Sequence, residues 1–153
     1  MAEKAPQTAL SAAALALNYK NRSSGELEDK LREKGFGEEE IADAISQLKG
    51  YGYLNDLEYA LSLVRSGVSK CRGRSRVRRT LEEHKVPAEV IDEAMESYTF
   101  SNEDLDRYLD KIAGDLSDPK EKNRLCSKLL RQGFSFSEIN GALRRRREDV
   151  YED

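Results

Sequence analysis

Several residue types are scarce in this chain of 153 residues, and each scarcity excludes something. There is no tryptophan, one histidine (His84), and a pair of cysteines, Cys71 and Cys126. So few thiols build no disulfide framework, and with one imidazole the donor set is too poor for a dedicated zinc site. Reduced thiols in a cytoplasmic protein are the simplest reading. Only three prolines, few β-branched runs and no alternating apolar pattern point to an all-α fold. No apolar run is long enough to span a bilayer, so no membrane is expected as a partner. The alanine-rich start, Ala9 to Leu17, lacks a basic leader, follows Glu3, and puts Leu10, Ala14 and Leu17 at helical spacing. It reads as an amphipathic helix rather than a signal peptide.

Catalytic signatures are missing as well. There is no Gly-rich phosphate loop, no G-x-S-x-G and no H-E-x-x-H. Gly73-Arg74-Ser75 lies at a helix start and lacks the Lys and Ser/Thr of a P-loop. His84 closes a helix beside Glu83 and Lys85, the place of a cation facing helix carbonyls rather than of a general base. Acidic neighbours such as Asp92-Glu93 do not face each other on a helix. The expectation is a protein that is not an enzyme and has no cofactor or metal.

What is present is repetition. Leu27-x3-Leu31-x3-Gly35-Phe36-x4-Ile41 recurs as Val77-x3-Leu81-x3-Lys85-Val86-x4-Ile91, and again as Leu125-x3-Leu129-x3-Gly133-Phe134-x4-Ile139. An alanine follows each copy, Ala44, Ala94 and Ala142, and the offsets are 50 and 48 residues. A fixed period of this length marks a tandem array of small helical units. Apolar residues at i and i+4 share a helix face, and a glycine then ends the helix in a left-handed conformation. Phe36 and Phe134 can fold back on Leu31 and Leu129. Lys85 breaks the rule, so its stop should be strained or built differently.

Read along the chain, a helix over Thr8–Lys20 follows a loose leader. Ser23 and Glu26 form a capping box for the next helix. Tyr51-Gly52-Tyr53-Leu54 is a turn, and Asn55 with Glu58 opens another helix. Asp118-Pro119 is expected to end a helix over Glu103–Leu116, and Ser135 or Ser137 to cap the last one. The frame is a leader and helix (1–22), three-helix repeats over 23–70 and 71–118, and a partial repeat with a charged tail over 119–153.

Net charge is -3, which argues against a general nucleic-acid coat, yet cations concentrate locally. Arg65 to Leu81 holds Arg65, Lys70, Arg72, Arg74, Arg76, Arg78 and Arg79 with no acidic residue. On a helical wheel anchored by Val77 and Leu81, Arg76 and Arg79 point away from the core, to be joined by Arg72 if the helix reaches back that far, while Arg74 and Arg78 flank it. The third copy carries Lys120, Arg124, Lys128 and Arg131, with Arg124 at the position of Arg76 and of Glu26. Arg144, Arg145, Arg146 and Arg147 add a cluster before Glu148 and Asp149. One reading is a solvated helix face. The other is a surface for an anionic partner, either phosphate backbone or acidic protein, and the lack of interleaved acids favours it. No aromatic residue alternates with the arginines, so a base-stacking platform has little support.

These residues resemble the RecX family of regulatory proteins. The likeness lies in Arg22-Ser23-x2-Glu26-Leu27-x3-Leu31-x3-Gly35-Phe36, in Gly52-Tyr53-Leu54-Asn55-Asp56-x2-Tyr59-Ala60, in Gly73-x2-Arg76-Val77-x3-Leu81, and in Lys122-x-Arg124-Leu125 with Arg131-x-Gly133-Phe134. It runs from about Ala9 to Leu143. The resemblance implies tandem three-helix repeats in an elongated, curved, right-handed helical array. It also implies a partner of the RecA recombinase filament that lodges in the RecA–DNA groove, limits filament growth, and suppresses strand exchange and ATP hydrolysis; a cytoplasmic monomer is expected. DNA itself would be met weakly or through the filament. The residues expected at that partner are Arg72, Arg74, Arg76, Arg78, Arg79, Lys122, Arg124, Arg131, Arg144 and Arg145. A DNA-binding module or a protein scaffold acting without RecA is the other class, which a gel shift or a pull-down would separate.

Overall fold

The computed structural model describes residues 7–151, with side chains through Glu148. Those residues form nine α-helices and no strand: α1 (Ala9–Tyr19), α2 (Ser24–Glu33), α3 (Glu38–Gly50), α4 (Asp56–Ser69), α5 (Arg74–Glu83), α6 (Ala88–Met95), α7 (Asn102–Ile112), α8 (Pro119–Arg131) and α9 (Phe136–Tyr151). They group into two compact units. One contains Met1–Ser62 with Leu81–Ala94, the other Leu63–Thr80 with Met95–Asp153.

In the first unit, α1 packs on α3 and both meet α2. Ala9, Ala12, Ala13 and Ala16 recur at helical spacing and are buried, which lets α1 lie close to its neighbours. Leu27, Leu31, Ile41, Ala44, Ile45, Leu48 and Leu54 complete the core. The Ser23–Glu26 box forms as expected: Ser23 Oγ accepts from Glu26 N–H at 3.0 Å, and Glu26 Oε1 accepts from Ser23 N–H at 3.1 Å. Buried Ser24 donates from its amide and its hydroxyl to the Asp56 carboxylate, at 2.7 and 2.6 Å, so the buried acid at the start of α4 is satisfied. The second unit has α7 and α8 packed on α9 around Leu105, Leu109, Leu125, Leu129, Phe134, Ile139 and Ala142.

Two elements differ from expectation. The helix expected over Glu103–Leu116 stops at Ile112, and Asp118-Pro119 starts α8 instead of ending α7. Pro119 sits in the first turn, where its missing N–H costs nothing, and Asp118 accepts from Lys120 N–H at 3.0 Å as the cap. At the last helix Ser135 is the cap, its hydroxyl accepting from Glu138 N–H at 3.1 Å.

The helix stops explain how the repeats join. Gly35 has φ +91 and Gly133 φ +98, and the next amide closes each stop, Phe36 to Leu31 C=O at 3.2 Å and Phe134 to Leu129 C=O at 3.1 Å. Lys85 adopts the same conformation (φ +56), with Val86 N–H to Leu81 C=O at 3.1 Å. The stop is therefore built identically and carries the left-handed strain of a residue with a Cβ.

The start of one repeat's helix meets the stop of the next at equivalent positions. In the first unit Ser23 Oγ donates to His84 C=O, Glu26 Oε2 lies 3.4 Å from His84 Nδ1, and Lys85 pairs with Asp29. A Cβ on Gly25 would lie 2.8 Å from Lys85 Cβ. In the second unit, Gly73 N–H donates to Gln132 C=O at 2.7 Å, Ser75 Oγ donates to Gly133 C=O at 2.9 Å, and the Arg76 guanidinium donates to Gln132 Oε1. A Cβ on Gly133 would lie 2.6 Å from Arg76 Cβ. With the 50- and 48-residue offsets, Ser23·His84 maps onto Gly73·Gln132 and Glu26·His84 onto Arg76·Gln132. One latch is built twice with different side chains.

Candidate partner-binding face

The second latch fixes the arginines of α5. Val77 and Leu81 are buried as the wheel requires. Arg76 corrects the wheel: expected to point outward, it is half-buried and bonded to Gln132, because Gly133 lets the backbone of the next repeat approach it. Arg74 lies 4.9 Å above the Tyr98 ring, with long hydrogen bonds to the carbonyls of Met95 and Tyr98. The Tyr98 hydroxyl donates to Arg72 C=O at 2.9 Å. Burial, with help from Glu138, pushes that phenol up to about 12, so it stays a neutral donor. Arg72 is half-buried, whereas Arg78 and Arg79 are exposed. Arg79 makes no ion pair among the described residues.

In the third copy, Arg124 is not a free cation. Its guanidinium clamps both oxygens of Glu121 and donates to Ile112 C=O at 3.3 Å. That clamp, with a hydrogen bond from the Gly114 amide, holds the Glu121 carboxyl down at about 2, and Arg124 is raised in return. Arg145 grips Asp106 through three contacts of 2.9 to 3.2 Å. Lys122, Arg131 and Arg144 are exposed without a side-chain partner among the described residues.

The structure thus sorts the expected residues. Arg74, Arg76, Arg124 and Arg145 are engaged within the fold, and Arg79, Lys122, Arg131 and Arg144 remain available to a partner. Two cations were overlooked as individuals. Arg146, 2.6 Å from Asp110, and Arg147 line a cleft with Leu143 and the Gly114–Ser117 loop. The signal was present, since Leu143, Arg146 and Arg147 stand at i, i+3 and i+4 of one helix face. No helix among the described residues is long and apolar enough to cross a membrane.

Comparison with known proteins places this arrangement. The model of the RecX first three-helix domain matches residues 9–48, and that of the second matches residues 55–95. These are α1–α3 and α4–α6, a frame that opens one helix before Ser23. A regulatory protein RecX from Vibrio parahaemolyticus is 34% identical over 146 residues, covering 90% of this chain and 91% of the relative. One from Bacillus licheniformis is 33% identical over 133 residues, covering 83% of this chain. The chain spans about half the length of the Bacillus relatives it matches. The crystal structure of RecX from Lactobacillus salivarius superposes with a TM-score of 0.78 at 27% identity, covering 90% of this chain and 93% of that one. With two adjacent domain models matched, and a relative aligned over nearly its whole length, this chain belongs to the RecX family of regulatory proteins.

Proposed function

We propose that this protein binds the RecA–DNA filament and lowers its ATPase and strand-exchange activity, working in the cytoplasm as a monomer. Membership of the RecX family carries this reading. The exposed cations Arg79, Lys122, Arg131 and Arg144, unpaired within the described chain, support it, since acidic protein and phosphate backbone both complement them. Several weak contacts to neighbouring protomers of a filament add up through effective concentration, so no single strong site is required. The action is occupancy: a bound regulator favours the filament surface it recognises and blocks its extension. The net charge of -3 keeps affinity for bare DNA modest and salt-sensitive.

The test is RecA ATPase on single-stranded DNA, with this protein added up to stoichiometric amounts. The expected result is a dose-dependent fall in the rate. An unchanged rate at stoichiometry removes the proposal. Gel shift without RecA gives the second arm, and tight duplex binding at physiological salt would replace the filament reading with an autonomous DNA-binding one.

A further inference from the structure

We infer that the cleft between the α7–α8 loop and α9 is a binding site for a phosphate ester, the phosphate held by Lys122, Arg146 and Arg147. The cleft has a volume of about 500 Å³ and is lined by Gly114, Asp115, Leu116, Ser117, Leu143 and those three cations. That size accommodates a nucleotide unit rather than a bare ion. Leu116 and Leu143 supply an apolar wall for the carbon portion of an ester, beside the charge. Arg146 is pre-positioned, its guanidinium 2.6 Å from Asp110 Oδ1 and its side chain only 30% exposed. An arginine fixed in this way loses little freedom when it takes a phosphate oxygen on its remaining N–H groups. Lys122 and Arg147 are exposed and make no ion pair among the described residues.

Asp115 is the opposing charge. Hydrogen bonds from the Ser117 hydroxyl and amide hold its carboxyl below the usual range, so it is an anion at neutral pH. Those same bonds, 2.6 and 3.0 Å long, turn it toward its own loop. With Arg146 balanced by Asp110, the lining keeps an excess of one positive charge from Lys122 and Arg147 over Asp115. That balance favours an anion, with an affinity that salt lowers.

Lys122 also marks the place of the cleft in the repeat pattern. By the 48-residue offset it is the equivalent of Arg74, which is spent on Tyr98. The α8 turn that carries it is the third version of the turns at Ser23–Glu26 and Gly73–Arg76, both covered by a following helix stop. Among the described residues no helix stop covers this one: Glu121 is held by the Gly114 amide and Arg124 by Ile112 C=O, while Lys122 and Asn123 are exposed. The inference deepens the reading of a nucleic-acid-associated regulator and rests on it only for the expected source of the ester.

Isotope-labelled protein is titrated with inorganic phosphate, with dTMP and with an oligothymidylate of eight nucleotides, reading amide and arginine Nε shifts. Saturable shifts of Gly114–Ser117 and of Arg146 and Arg147 are expected in all arms, with the oligonucleotide tighter than dTMP. Saturation by dTMP but not by the oligonucleotide keeps the cleft and assigns it to a free nucleotide. Lys122→Gln with Arg147→Gln should weaken binding at least tenfold, Arg65→Gln less than twofold, and Asp115→Asn should tighten it several-fold. Absence of saturable shifts, or equal losses in the Arg65→Gln control, overturns the inference. The RecA ATPase with the unsubstituted protein separates the two readings: full inhibition by a protein that shows no saturable cleft shifts removes the cleft alone.

Discussion

Gly35 and Gly133 allow the contribution of the latch to be isolated. Both precede phenylalanine, both close a helix stop with the same hydrogen bond, and their φ values are +91 and +98. Their surroundings differ. A Cβ on Gly35 meets nothing within 4 Å, whereas one on Gly133 would lie 2.6 Å from Arg76 Cβ, against α5 backbone. Alanine at either position incurs about 1–2 kcal/mol of left-handed strain. Each also recovers roughly 0.4–1 kcal/mol from a less flexible unfolded chain. Gly35→Ala should therefore cost between about 0 and 1.6 kcal/mol. Gly133→Ala adds an overpacking term of about 1–3 kcal/mol, and backbone is less able to yield than a side chain. The expected difference between the variants is about 1–3 kcal/mol. Because the chain forms two units, one midpoint mixes them, so urea unfolding should be followed by amide resonances of each. The loss from Gly133→Ala should appear at Leu125 and Leu129, that from Gly35→Ala at Leu27 and Leu31. Equal losses within about 0.5 kcal/mol would refute the packing argument and leave φ as the whole effect.

Three further outcomes are expected. Leu31→Ala, at a position 1% exposed, should destabilise by about 2–5 kcal/mol in urea unfolding. Arg79→Glu should weaken RecA inhibition without changing stability, while Arg76→Glu should also lower the unfolding midpoint because it breaks the bond to Gln132; identical stabilities would contradict the half-buried placement. The Glu121 carboxyl should titrate near 2 by carbon NMR and return toward 4.5 in Arg124→Gln. Its folded pKa is depressed, so its contribution is present above about 4.5 and lost as pH falls toward 2. A Glu121 midpoint in the ordinary range in both proteins would show that the clamp is absent.

Much of the scaffold was legible because it is local. The i, i+4 leucines, the Ser23–Glu26 box and the Gly-Phe stops are short-range signals, and each forms as read. The fate of individual arginines was not legible, because it depends on what approaches from the next repeat. A wheel places Arg76 outward from its own core, but the missing Cβ of Gly133 brings a second backbone against it. Likewise Asp118-Pro119 fits both a helix end and a helix start; α7 has already left the helical conformation at Ala113, and Asp118 caps α8. Arg124 and Arg145 were read as surface cations, and their acids, Glu121 and Asp106, were not identified as partners, one of them lying 39 residues away.

The doubled latch makes the order of the repeats a matter of spelling. The first junction is written with an acid and an imidazole, Glu26 with His84, and the second with a guanidinium and an amide, Arg76 with Gln132. Exchanging the two helix starts would set a guanidinium against the imidazole, and a carboxylate against Gln132 would accept only if the amide turned its Nε2 away from the Tyr108 hydroxyl. The left-handed stop is shared, so the side chains at the junction, with Lys85–Asp29 in the first only, say which repeat follows which. A substitution at position 26 is therefore felt at position 84, and one at 76 at position 132, as neighbouring letters of one word.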